Sequence, residues 1–179
     1  MRIISGEFKG RRFTPPANLK ARPTTDFAKE GIFNVLANFI DFEDITVLDL
    51  FSGSGSISFE FASRGAKQVT SIEQNYQHIC FIKKIADELK IKTINAVKGD
   101  VFKFISTSRF QYDLIFADPP YELDKLPLLP ELVLSSSLLK PNALFVLEHG
   151  KRNNFADNKY FKETRSYGNV HFSIFEKVE

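Results

Sequence analysis

The 179-residue chain has no tryptophan, one methionine and a single cysteine, Cys80. One thiol makes neither an intrachain disulfide nor a cysteine-based metal site. The three histidines, His78, His149 and His171, stand at unrelated spacings, so no metal is expected. No apolar run approaches the length that spans a bilayer, and the N-terminus is basic and polar where a signal peptide would be apolar. A cytoplasmic protein with no membrane partner is therefore expected. Repeats and low-complexity tracts are absent, and 19 phenylalanines supply the bulk that tryptophan does not.

What is present suffices for one sizeable core, since 43% of the residues are hydrophobic. Residues 1–179 read as a single domain with a body from 41 to 179; residues 1–40 are too few to build a core alone. A monomer is expected. The net charge of +2 is unevenly placed. Residues 1–22 hold Arg2, Lys9, Arg11, Arg12, Lys20 and Arg22 against Glu7, a net +5, while the remainder carries −3. Cations gathered on one arm attract phosphates, although such an arm is also compatible with simple solvation. The arm is expected to stay out of the core.

Apolar runs alternate with helix-like segments. "ITVLDLF", "KQVTSIE", "KTINAVKGD", "YDLIFAD" and "ALFVLEHG" read as strands, separated by helical "SISFEFASRG", "NYQHICFIKKIADEL", "VFKFISTS" and an interrupted "LDKLPLLPELVLSSSLL". This alternation specifies an α/β fold: a doubly wound, mainly parallel sheet of seven strands. "YFKETRSYG" and "NVHFSIFEKV" close it as an antiparallel hairpin around Gly168-Asn169. Ahead of the body, "RIISGEFKGRRF" reads as a β-ribbon turning near Gly6. A helix follows from about Thr24 to Phe39, capped by Thr24 or Thr25. Cys80 falls in an apolar helical stretch and reads as core.

Two loops carry chemistry. In "VLDLFSGSGSISFEFASRG", Gly53 and Gly55 allow a tight turn with close backbone approach, and Ser56 opens a helix whose free N–H groups suit a polar or anionic ligand. Ser58 stands where a dinucleotide fingerprint would have its third glycine, which argues against a nicotinamide cofactor. Asp49, Glu73 and Asp100 lie at the carboxyl ends of successive predicted strands, where open α/β sheets bind ligands. Singly, each also reads as a helix cap or a surface acid. In "IFADPPYEL" a strand ends in Asp118-Pro119-Pro120-Tyr121. The prolines have no N–H, so the loop presents acceptors and almost no donors, which suits an amine on a flat ring with Tyr121 stacked on its face. A rigid turn is the simpler alternative.

"VLDLFSGSG", Glu73, Asp100 and "DPPY", in this order, resemble the class I S-adenosylmethionine-dependent methyltransferases that modify exocyclic or amide nitrogens. "MRIISGEFKGRRF" followed by "RPTTDFAKEGIFNVL" is similar to the RsmD family, which methylates guanine N2 in small-subunit ribosomal RNA. The family usually has Arg where this chain has Phe27, with Lys29 keeping charge nearby. The resemblance implies an S-adenosylmethionine site of Asp49, Phe51, Gly53, Gly55, Glu73, Asp100, Val101 and Phe102. It implies catalysis by Asp118, Pro119, Pro120 and Tyr121, and contacts to ribosomal RNA, free or in an assembly particle, by Arg11, Arg12, Arg22 and Thr24. A DNA or protein-amide methyltransferase, and a non-catalytic RNA-binding assembly factor, remain the alternatives. His149 reads as structural.

Overall fold

The structure, a computed structural model, describes residues 1–17 and 25–178. Its centre is a seven-stranded sheet of order β3-β2-β1-β4-β5-β7-β6. The strands are β1 (Thr46–Leu50), β2 (Gln68–Glu73), β3 (Ile94–Lys98), β4 (Tyr112–Ala117), β5 (Leu139–His149), β6 (Phe161–Tyr167) and β7 (Val170–Glu176). The first five are mutually parallel; β7 runs antiparallel to β5, and β6 antiparallel to β7. The helices are α1 (Asp26–Leu36), α2 (Ser56–Ser63), α3 (Tyr76–Glu88), α4 (Val101–Thr107) and α5 (Leu129–Leu134), the last preceded by a 3₁₀ turn at Leu126–Leu128.

Residues 47–50 of β1 are all buried, because helices cover both faces of the sheet. Val47 points into the layer filled by α1, α2 and α3, and Leu48 and Leu50 into the layer filled by α4 and α5. The chain winds outward from β1 through β2 to β3, then returns to place β4 on the other side of β1. The carboxyl ends of β1 and β4 therefore flank a crevice. Leu50 pairs with Ala117, and the Asp118 N–H donates to the Leu50 carbonyl at 3.3 Å, so the two candidate loops leave the sheet side by side.

Several expectations change. The N-terminal ribbon is short: around the antiparallel bridge of Arg2 with Arg12, Ile3 N–H donates to the Arg11 carbonyl at 3.0 Å and Phe13 N–H to the Met1 carbonyl at 3.0 Å, while the turn at 5–10 rests on α2. Glu7 N–H donates to the Ser63 carbonyl at 2.8 Å and Phe8 N–H to Ser63 Oγ at 2.9 Å. Gly6 has φ +82°, and a Cβ there would fall 1.8 Å from the Ser63 carbonyl oxygen. The arm also joins the core: Ile3 is 1% exposed, and Met1, Phe8 and Phe13 pack on the α1–α3 layer. Cys80 is exposed, because α3 turns His78, Ile79, Phe81, Ile82 and Ile85 inward and leaves position 80 off that stripe. Thr25 caps α1, accepting from the Ala28 N–H at 3.2 Å, and the helix ends at Leu36, short of Phe39.

A buried carboxylate also anchors the arm. Glu60, fully buried in α2, accepts from the N–H groups of Ile4 at 2.8 Å and Ser5 at 3.0 Å, and from Arg64 Nε at 2.9 Å. Lys29 of α1, 1% exposed, lies 3.4 Å from the same carboxylate and donates to the Arg2 carbonyl and to Ser56 Oγ. Burial holds the Lys29 ammonium below its ordinary pKa, against the opposing pull of Glu60. The charge expected near an RNA contact at Lys29 is thus internal. Removing one partner of a buried pair strands the other, so Glu60→Ala should cost about 3–5 kcal/mol in urea unfolding, far more than an exposed Glu→Ala change.

Candidate active site

A cavity of about 680 Å³ opens at the carboxyl ends of β1, β2 and β4. From the β1 side it is lined by Asp49, Phe51, Gly53 and Ser56, and from β2 by Glu73, Asn75 and His78. Asp100, Val101 and Phe102 enter from the start of α4, and Asp118, Pro119, Pro120 and Tyr121 from the β4 loop. All of the residues expected to hold the cofactor, save Gly55, thus share one cavity with the four expected to act on the amine.

The first loop is tightly built. Phe51 has φ +60°, an uncommon conformation for a side chain of that size, and Gly53 and Gly55 have φ +51° and +83°. Gly55 is the N-cap of α2 and stays off the cavity; a Cβ there would meet Ile82 Cγ1 at 2.8 Å. The glycine permits close packing of the loop on α3. Glu73 braces the loop from the neighbouring strand, accepting from the Gly53 N–H at 2.9 Å through one oxygen and from the Asn75 N–H at 2.7 Å through the other. Asp100 caps α4, accepting from the Lys103 N–H at 2.8 Å, while its residue lines the cavity. Phe51 and Phe102 meet edge to face, 6.2 Å between centroids, as the apolar part of the wall. Asp100 is thus a helix cap set in the cavity wall, and Glu73 a brace for the loop beside it.

Asp49 is buried in the floor of this cavity. It is 1% exposed; one oxygen accepts from the Ser58 hydroxyl at 2.5 Å, Ser58 is 2.7 Å from Ser71 Oγ, and the other oxygen has no partner among the described residues. Burial pushes its pKa up to about 7, against the lowering effect of Ser58, with Glu73 adding to the rise. Ser58, at the fingerprint position lacking glycine, thus anchors the acid.

The family described as Conserved hypothetical protein 95 matches residues 1–176. Ribosomal RNA small subunit methyltransferase D of Buchnera aphidicola subsp. Baizongia pistaciae is 32% identical over 183 residues, covering 99% of this chain and 92% of its own. The chain belongs to the RsmD family. The protein of the same name from Haemophilus influenzae is 34% identical over 155 residues, covering 84% of this chain and 79% of its own. A solved structure from Thermus thermophilus, 26% identical, superimposes with a TM-score of 0.87 over 98% of this chain and 99% of that one.

Sequence reasoning passed over two residues that line this cavity. Glu148, 4% exposed at the end of β5, lines the cavity and accepts from the Tyr121 hydroxyl at 2.8 Å. A charge closing the apolar run "ALFVLEHG" is the same signal that marked Glu73 and Asp118. His78 is buried with both ring nitrogens unpartnered among the described residues, its Nδ1 3.7 Å from Glu73. The histidine of "EHG", His149, is structural: it bonds Ser173 Oγ at 2.8 Å and the Gly150 carbonyl at 2.9 Å, and burial lowers its pKa. Arg11 and Arg12 are exposed and line no part of the cavity. Arg22 and Thr24 lie outside the described residues. Among the described residues no group of His, Cys, Asp or Glu could hold a metal ion, and no helix is long and apolar enough to cross a membrane.

The raised Asp49 pKa makes stability depend on pH. Unfolded, the group titrates near 4; folded, it keeps its proton to about 7. Between those values the folded state binds more protons, so this group's contribution falls as pH rises, by roughly 1.4 kcal/mol per unit, and levels off above 7. Urea unfolding of the parent and of Asp49→Asn at pH 5 and pH 7.5 should show the parent losing stability relative to the variant at the higher pH.

Proposed function

We propose that this chain transfers a methyl group from S-adenosylmethionine to the exocyclic N2 amine of a guanine in small-subunit ribosomal RNA, presented as free RNA or within an assembling particle. The observation that carries the reading is the one cavity that gathers the Gly53 loop, Glu73, Asp100 and the acceptor-rich Asp118–Tyr121 loop. Relatives that span nearly the whole chain are named ribosomal RNA small subunit methyltransferase D. The donor set fits the cofactor's chemistry. A buried Asp49 oxygen without a partner among the described residues suits an ammonium group, Glu73 suits ribose hydroxyls, Asp100 an adenine amine, and Phe51 and Phe102 the adenine faces.

S-Adenosylmethionine supplies a methyl group on a positively charged sulfur. The residues of the chain prepare the nucleophile. A guanine amine is weak because its lone pair is delocalised into the ring. Asp118 and the Pro119 carbonyl accept its two N–H bonds, hold the nitrogen toward the cavity and favour tetrahedral geometry there. Asp118 need not remove a proton first, because the amine loses one readily after it has gained a methyl group. Tyr121 stacks on the ring of a base that has left its helix or lies in a loop. The absence of N–H groups at Pro119 and Pro120 keeps competing donors away from the acceptors.

The test is incubation of the full chain with unmethylated small-subunit ribosomal RNA and labelled cofactor, followed by nucleoside mass spectrometry. N2-methylguanosine is expected; label in DNA or in a protein amide instead would overturn the reading. Glu73→Ala should weaken cofactor binding in calorimetry by about 1.5–3 kcal/mol, the worth of a hydrogen bond to a charged group, with part of the loss arising from the unbraced Gly53 N–H. Asp118→Ala should leave cofactor affinity at the parent value and cut turnover roughly a hundredfold or more, the scale of losing one transition-state hydrogen bond.

A further inference from the structure

A second cavity, of about 530 Å³, adjoins the first, and the two share Tyr121, Glu122 and Leu123. Tyr121 is the aromatic residue common to both, and its side chain is held at two points. Its hydroxyl is tied to buried Glu148, and its ring lies so close to Gly150 that a Cβ there would fall 3.2 Å from Cδ2. The far side of the second cavity comes from the turn after β5, with Lys151, Arg152 and Asn153, and from Asn169 at the tip of the β6–β7 hairpin. Lys151 and Arg152 are exposed, and neither has an ion-pair partner among the described residues, although Glu122 and Asp124 line the same cavity. The cavity thus carries uncommitted cations on one side and carboxylates on the other.

We infer that this second cavity seats the RNA strand beside the target nucleotide, with Lys151 and Arg152 taking the phosphates that flank it. The inference rests on the functional reading above and gives the strand its path. A base stacked on Tyr121 is joined through one sugar to its phosphates, so the matching cations must stand at the mouth of the base site. Lys151 and Arg152 line the second cavity, and Tyr121 lines both that cavity and the one that holds Asp118. Arg11 and Arg12 line neither cavity, so they serve at most a more distant part of the RNA. Glu122 and Asp124 repel phosphate, which confines the strand to the Lys151–Arg152 side and fixes which way it crosses. The side-chain amides of Asn153 and Asn169 offer donors and acceptors for sugar hydroxyls and base edges.

The test compares the full chain with Lys151→Gln/Arg152→Gln for binding to unmethylated small-subunit ribosomal RNA across a salt series. Both positions are exposed, and calorimetry with the cofactor reports that the variant is folded. Without these two cations, the dissociation constant for RNA should rise about tenfold near 0.1 M salt. The slope of log affinity against log salt should flatten by about 1.4, as expected when two single-strand phosphates are no longer neutralised. A variant with the parent's RNA affinity and slope would overturn the strand path while leaving methyl transfer by the parent intact. A parent that methylates no RNA would instead overturn the functional reading and this inference with it.

Discussion

The Glu60 carboxylate is the constraint from which the rest of the architecture hangs. It lies within α2, which follows directly from the glycine loop of the active-site cavity, and it is fully buried. A bare carboxylate there would be prohibitively costly, so it must be satisfied. The donors are two backbone N–H groups of the N-terminal arm, Arg64 at the end of α2 itself, and Lys29 from α1. Lys29 in turn reaches the Arg2 carbonyl and Ser56 Oγ, and Ser56 lines the active-site cavity. One buried ion pair therefore fixes the arm, α1 and the first turn of α2 to one another, and places the arm against the wall of the cavity. Such a pair contributes less through net attraction than through the penalty on every arrangement that breaks it.

This internal use of charge explains where the sequence was legible and where it was not. The strand and helix alternation of the body is a periodic signal, and it leads to the observed order of elements and to the hairpin at Gly168-Asn169. The arm has no such period. Ile3, Phe8 and Phe13 look scattered along a basic segment, and nothing local marks Glu60 as their anchor, because its partners are 55 and 56 residues away. Lys29 reads as surface charge on the same grounds. Cys80 went the other way: an apolar neighbourhood in sequence does not say which side of a helix a residue occupies, and the buried stripe of α3 passes it by.

At the cavity, acids at strand ends were legible because a carboxylate closing an apolar run is costly unless it does something. That argument finds Asp49, Glu73 and Asp118 directly, and applied evenly it also finds Glu148. It does not show that Glu73 braces the Gly53 loop, or that Asp100 caps a helix; both are contacts across elements or turns that only the folded backbone displays. Gly55 shows the opposite limit. Its pattern with Gly53 suggests ligand approach, yet the close neighbour it accommodates is Ile82 of α3.

The same constraint extends to the strand path. Gly31 of α1 packs so tightly on Tyr167 that a Cβ would lie 2.2 Å from its ring, and Phe27 meets Tyr167 edge to face at 5.7 Å. Helix α1 thereby sets the position of the β6–β7 hairpin, whose Asn169 lines the second cavity. Since Lys29 fixes α1 to Glu60, the positions of both cavities trace back to one buried pair: the first through Ser56 and α2, the second through Gly31, Tyr167 and the hairpin. A helix that packs through glycine on an aromatic ring has little freedom to slide, so a change at either end of this chain of contacts is transmitted as a rigid displacement. Phe27 fits the same logic. An arginine there would add a cation at the surface, whereas phenylalanine adds an edge contact to the ring that holds the hairpin, placing position 27 among the contacts that fix the second cavity.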